Sequence, residues 1–201
     1  MMRSAIRSLM IAASAISALL AVTLACAITM PSAPQAPLPS LTPSVADADA
    51  FEQSFRQAVN QATQTGKFSA TINQQQLSSW LSLRAADYAR QQGYDLPLKN
   101  LQASLQGGKI TLYGIVSQPD VPDTPAQVVF TPTIDGNGQI AVAVQSGQVG
   151  VVGLPSSALN NLNKLIKDTL TGQLSRIQGR YILTALNIAG GTLTVSGQIN
   201  R

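Results

Sequence analysis

The chain has 201 residues, 45% of them hydrophobic and 11% charged, enough for one folded domain with a core that needs no staples, plus a leader. The formal charge of +4 includes Arg3 and Arg7 of the leader; without those two, eleven Lys and Arg stand against nine Asp and Glu, scattered and with no basic run, which argues against a nucleic-acid partner. With no histidine and one cysteine, the sequence excludes Ser-His and Cys-His nucleophile pairs, an intramolecular disulfide and His-ligated or thiolate-cluster metal sites, so neither an enzyme nor a cofactor is expected.

Residues 1–30 are a signal-anchor or signal peptide. Residues 9–30 are uncharged over 22 positions, which as a helix would be roughly 33 Å long and enough to cross a bilayer core. After Arg7 no Lys or Arg occurs until Arg56, which puts the N-terminus in the cytoplasm and the rest outside it, a single-pass protein of the cell membrane. Three fates stay open for this segment. An uncleaved anchor comes first. Lipid modification of Cys26 comes second, because Thr23-Leu24-Ala25-Cys26 is similar to a lipobox with its Leu one place late. Clean secretion comes third, because Ala25-Cys26-Ala27 has the small-x-small form of a cleavage site. Residues 31–50 hold five prolines among small and polar residues and read as an extended linker that lifts the domain off the membrane.

Residues 51–201 form the extracytoplasmic α+β domain. A first amphipathic helix spans Ala46 to Thr65, with Phe51, Phe55, Val59 and Ala62 on one side, and ends near Gly66. Phe68 to Ile72 is a short strand. Asn73 caps the next helix with Gln76 as its reciprocal partner. That helix, residues 74–92, lines up Leu77, Trp80, Leu81, Arg84, Ala85 and Tyr88, with the Arg84 stem lying over apolar surface.

A meander follows. Residues 98–106 and 109–117 join at Gly107-Gly108, and residues 126–134 and 139–149 join around Asp135-Gly136-Asn137-Gly138. In the first of these strands Leu101, Ala103 and Leu105 alternate with Gln102, Ser104 and Gln106, so one face is expected to be wet. Pro155 opens a further helix with the stripe Leu159, Leu162, Ile166, Leu170, Leu174 and Ile177, and Gly179 closes it. Two last strands, Tyr181 to Ile188 and Thr192 to Ile199, pair across Ala189-Gly190-Gly191.

The segment Thr71-Ile-Asn-Gln-Gln-Gln-Leu-Ser-Ser-Trp-Leu81 resembles the strand-then-helix opening of small membrane-anchored bacterial envelope proteins of the YpmS kind. Gly153-Leu-Pro155 with the helix after it, and Tyr181 through Gly197, are similar to the closing element of that group, related in architecture to the tubular lipid-binding (TULIP) superfamily. The resemblance covers residues 68–199 and rests on apolar and glycine positions. It implies a curved antiparallel sheet packed on amphipathic helices, a TULIP-like half-barrel, with an apolar groove that takes acyl chains.

The expected function is that of a membrane-tethered binder or carrier of lipids or lipid-linked envelope precursors. The candidate groove residues are Trp80, Leu81 and Tyr88 on one helix, Leu162, Ile166 and Leu170 on another, and Leu112, Tyr113, Phe130 and Val142 on strands. Ordinary core packing competes for each of them. The alternative is a scaffold docking another envelope protein through the wet sheet face or the Gln- and Asn-rich helix surface. Asp120 and Asp123 around Pro122 read as loop punctuation, Ser156-Ser157 as helix-start residues, and the glycine pairs lack the strand-to-helix setting of phosphate loops.

Overall fold

The structure, a computed structural model, describes residues 32–34, 40–91, 98–118, 121–153, 160 and 180–200. Helix α1 (Val45–Thr65) starts where Ser44, in extended conformation, accepts the Asp47 N–H at 3.1 Å, and it stops at Gly66, whose φ of 74° lets its N–H reach the Ala62 carbonyl at 2.9 Å. Ala48, Phe51, Ala58 and Ala62 are its buried stripe. Strand β1 (Lys67–Asn73) alternates exposed and buried, with Phe68, Ala70 and Ile72 inside.

Helix α2 (Gln74–Gln91) carries the expected capping box. Asn73 Oδ1 accepts the Gln76 N–H at 2.8 Å, and Gln76 Oε1 accepts the Asn73 N–H at 2.9 Å. Arg84 reaches across to Asp49 of α1 at 3.2 Å, an exposed pair of little energetic weight.

The remaining strands are β2 (Leu98–Gln106), β3 (Lys109–Gln118), β4 (Val121–Ile134), β5 (Ile140–Val149), β6 (Val152–Gly153), β7 (Arg180–Ala189) and β8 (Thr192–Asn200). The expectation of one curved sheet is corrected. The strands divide into a five-stranded meander, β2-β3-β4-β5-β6, and a three-stranded sheet of order β1-β8-β7, both antiparallel and open. The first sheet is the local hairpin path; the second is made by the return of β8 to lie between β1 and β7.

Strand β4 begins at Val121, ahead of the expected residue 126, and carries prolines at 122, 125 and 132. It pairs with β3 from Val121 to Phe130 and with β5 from Ala126 to Ile134. All three prolines therefore fall where β4 has a single neighbour and their missing N–H need not break a ladder.

The two sheets meet through turn tips. The Gly108 N–H donates to the Ile188 carbonyl at 3.2 Å, Gly191 to Leu105 at 3.1 Å, and Leu183 to Gly138 at 2.8 Å, while Gln139 Nε2 donates to the Tyr181 carbonyl at 3.1 Å. Three of these bonds fall on the outer edge of β7, which they cover. The free edge of β2 is covered differently. Gln74, Ser78 and Ser82 of α2, spaced by four, take its backbone groups in turn: Gln74 Oε1 accepts from Leu105 at 3.3 Å, Ser78 Oγ accepts from Ala103 at 2.9 Å and donates to the Ala103 carbonyl at 3.3 Å, and Ser82 Oγ donates to Leu101. Four helical residues rise about 6 Å and two strand residues about 6.7 Å, so the two repeats stay in step over this length.

Among the described residues no helix is long and apolar enough to cross a membrane; residues 9–30 and Cys26 lie outside them.

Candidate functional site

The structure sorts the candidate residues into separate settings. Trp80 is buried between the helices, its ring stacked on Phe51 with centroids 5.0 Å apart and 6.0 Å from Tyr88, while Phe51 meets Phe55 edge-on at 5.1 Å. Leu81 and Tyr88 are half-buried against the same core. The partners Phe51 and Phe55 were visible in the sequence as the α1 stripe, but nothing there paired them with Trp80.

Leu112, Phe130 and Val142 share the inner face of the five-stranded sheet, as the register shows: Ala103 opposite Leu112 opposite Val128, Ile110 opposite Phe130 opposite Val144, and Pro132 opposite Val142. Phe130 and Val142 are buried, whereas Leu112, Val128 and Val144 are half-buried. Tyr113 is not brought to this face. Successive strand residues point to opposite sides, so Tyr113 joins Gln102 and Gln127 on the outer one. Leu162, Ile166 and Leu170, with the helix that follows Pro155 and Ser156-Ser157, lie outside the described residues, as does Asp120.

At Gln102 the outer face of β2, expected to be wet, is covered by the proline-rich segment, whose other described contacts are to α2 and β5. Gln102 is buried; its Nε2 donates to Ser40 Oγ at 2.9 Å and its Oε1 accepts the Leu41 N–H at 3.4 Å. Gln75 Nε2 donates to the Thr42 carbonyl at 2.8 Å, Ser79 Oγ accepts the Ser44 N–H at 3.2 Å, Gln148 Nε2 donates to the Ser32 carbonyl at 2.8 Å, and Pro34 is buried. An extended chain short of N–H groups still offers carbonyls, and glutamine amides supply the donors that bind it. Residues 32–34 and 40–44 thus lie against the domain instead of standing clear of it.

Ionisable groups are few. Lys99 Nζ stands 2.8 Å from Asp123 and its hydrogen bond, followed by one from Ser117, holds that exposed carboxyl below its usual range. Burial pushes the Tyr181 phenol up. Among the described residues no group of three or more Cys, Asp or Glu side chains could hold a metal ion. Sequence reading missed Ser78 and Ser79, both fully buried; the one signal was the four-residue repeat of Gln74, Ser78 and Ser82.

The described residues define an α+β domain with two open antiparallel sheets and two helices. A scan against protein-family models, a search of curated proteins and a search of solved structures each return no match.

Proposed function

We propose that the chain is a membrane-tethered, non-enzymatic binder or carrier of lipids or lipid-linked envelope precursors, anchored by residues 9–30 and taking acyl chains against the inner face of the β2–β5 meander. The observation that supports this reading is that Leu112, Val128 and Val144 remain half-buried on a face whose neighbours Ile110 and Phe130 are fully buried. Apolar surface left partly open on an inner sheet face is what an acyl chain would cover. About ten matched methylenes would contribute about 8 kcal/mol before ordering costs. Leu162, Ile166 and Leu170 remain the further groove candidates of this reading, on the sequence alone.

The test is native mass spectrometry of the full chain together with uptake of labelled phospholipid. Bound lipid and saturable uptake are expected, and Leu112→Gln and Val144→Gln weaken both while the circular dichroism spectrum is kept. Absence of both lipid and uptake overturns the reading.

A second reading, a module that docks another envelope protein, is favoured by the outer face of the β1-β8-β7 sheet. There Ser69 and Ser196 hydroxyls stand 3.0 Å apart and Thr71 and Thr194 hydroxyls 3.1 Å apart, giving an exposed, nearly uncharged polar strip. Recovery of a stoichiometric protein partner by cross-linking, with lipid absent, selects it.

A further inference from the structure

The outer face of the five-stranded sheet carries a row of residues that crosses four strands. Gln102 of β2 stands opposite Tyr113 of β3, Tyr113 opposite Gln127 of β4, and Gln127 opposite Gln148 of β5. The row is uncharged, and it lies on the face opposite to Leu112, Val128 and Val144. Its β2 end depends on a departure from regular strand. Asn100 and Leu101 together oppose Gly114, with Asn100 at a φ of 55°, a left-handed conformation that side chains disfavour. Without that extra residue Lys99 and Gln102 would fall on opposite faces; with it both take the outer one.

Both ends of the row hold the proline-rich segment. At the β5 end Gln148 Nε2 donates to the Ser32 carbonyl at 2.8 Å, and Pro34 is buried. At the β2 end Gln102 donates to Ser40 Oγ at 2.9 Å and accepts the Leu41 N–H at 3.4 Å. On α2, Gln75 Nε2 donates to the Thr42 carbonyl at 2.8 Å and Ser79 Oγ accepts the Ser44 N–H at 3.2 Å. These bonds suit a chain with few N–H groups. Its carbonyls and hydroxyls are met by amide donors, and the N–H groups of Leu41 and Ser44 each find a buried acceptor, on Gln102 and Ser79. The charges agree as well, since residues 32–46 carry none.

We propose that this row, continued by Gln75 and Ser79, is a recognition track for an uncharged, extended, proline-rich polypeptide, and that residues 32–44 are its intramolecular ligand. The segment is then a seated strap and not a spacer. The track is independent of the acyl-chain reading and lies on the other side of the same sheet. A ligand carried within the chain competes at a high effective concentration, so an outside peptide of the same kind finds the track open only when the strap is gone.

The test uses the full chain in detergent and a fluorescein-labelled synthetic peptide of residues 32–44, followed by anisotropy. In one variant residues 32–43 are replaced by a Gly-Ser stretch of equal length, which keeps the Ser44 cap. Saturable binding to that variant is expected, with affinity at least about tenfold lower for the wild type, whose strap competes, and for the variant that also carries Gln102→Leu and Gln148→Leu. No binding to the folded variant, equal binding to variant and wild type, or binding that the glutamine substitutions leave unchanged overturns the proposal. If the replacement prevents folding, hydrogen exchange in the intact chain decides. The Leu41 amide should exchange slowly in the wild type and about tenfold faster in Gln102→Ala, with the β4 amides unchanged. Free-peptide rates at Leu41 in the wild type, or no acceleration in Gln102→Ala, overturn it.

Discussion

Ser78 shows how much a single hydroxyl can carry in this domain. It is fully buried, and its oxygen serves both the N–H and the carbonyl of Ala103. Ser78→Ala leaves that N–H buried without a partner, so the variant should lose about 1–3 kcal/mol, read as a lower urea midpoint with an unchanged slope. An unchanged midpoint would mean water reaches the β2 edge. Tyr181 gives a prediction in pH. Its phenol is buried, so its folded pKa lies above the unfolded value near 10. The neutral form is the one the fold tolerates; that contribution is intact below about pH 10 and declines as pH rises further. Wild type and Tyr181→Phe should therefore differ progressively more in stability above that pH, with the wild type losing more. Parallel alkaline unfolding curves would remove burial as the cause. Neither residue stands out in the sequence, because a serine on a helix and a tyrosine in a strand reveal their burial only through partners far along the chain.

At the scale of elements, what was legible was local. The Asn73 and Gln76 box, the Gly66 stop and the hairpin turns at 107–108, 135–138 and 190–191 depend on residues a few places apart, and the observed boundaries follow them closely. The placement of β8 between β1 and β7 did not, since Ser69 and Ser196 are 127 positions apart and no local pattern joins them. Gly197 is the packing requirement of that placement. A Cβ there would lie 2.5 Å from Phe68 Cζ and 2.7 Å from the Ile182 carbonyl oxygen, so the side chain of β1 crosses β8 where β8 has none. Gly197→Ala should cost about 1–3 kcal/mol through overpacking, measured by chemical denaturation. Phe68→Leu in the same background should recover part of the loss by withdrawing the ring. If the double variant is as unstable as the single one, the ring is not what the glycine makes room for. The grouping of Leu112 with Tyr113 meets the same limit: they are adjacent in sequence, and strand alternation places them on opposite faces.

For the whole molecule, the question is whether two sheets with no shared strand behave as one folding unit. The contacts on which cooperativity depends are the aromatic stack of Trp80 on Phe51, which joins α1 to α2, the α2 stripe along β2, which joins the helices to the five-stranded sheet, and the turn-tip bonds to β7, which join that sheet to the β1-β8-β7 sheet. Loss of β8 leaves both β1 and β7 with unsatisfied backbone groups and loss of α2 does the same to the edge of β2, so partial unfolding is costly and an all-or-none transition is favoured. The single tryptophan makes this measurable, because Trp80 reports the α1–α2 interface while far-ultraviolet circular dichroism averages over both sheets. The two urea transitions should coincide in midpoint and slope, and removal of residues 192–201, which leaves β1 and β7 without their common partner, should abolish both together. A tryptophan transition that survives the truncation, or precedes the dichroism change in the intact chain, would show the helix pair with the meander to be an independent unit and the β1-β8-β7 sheet to be an attachment to it.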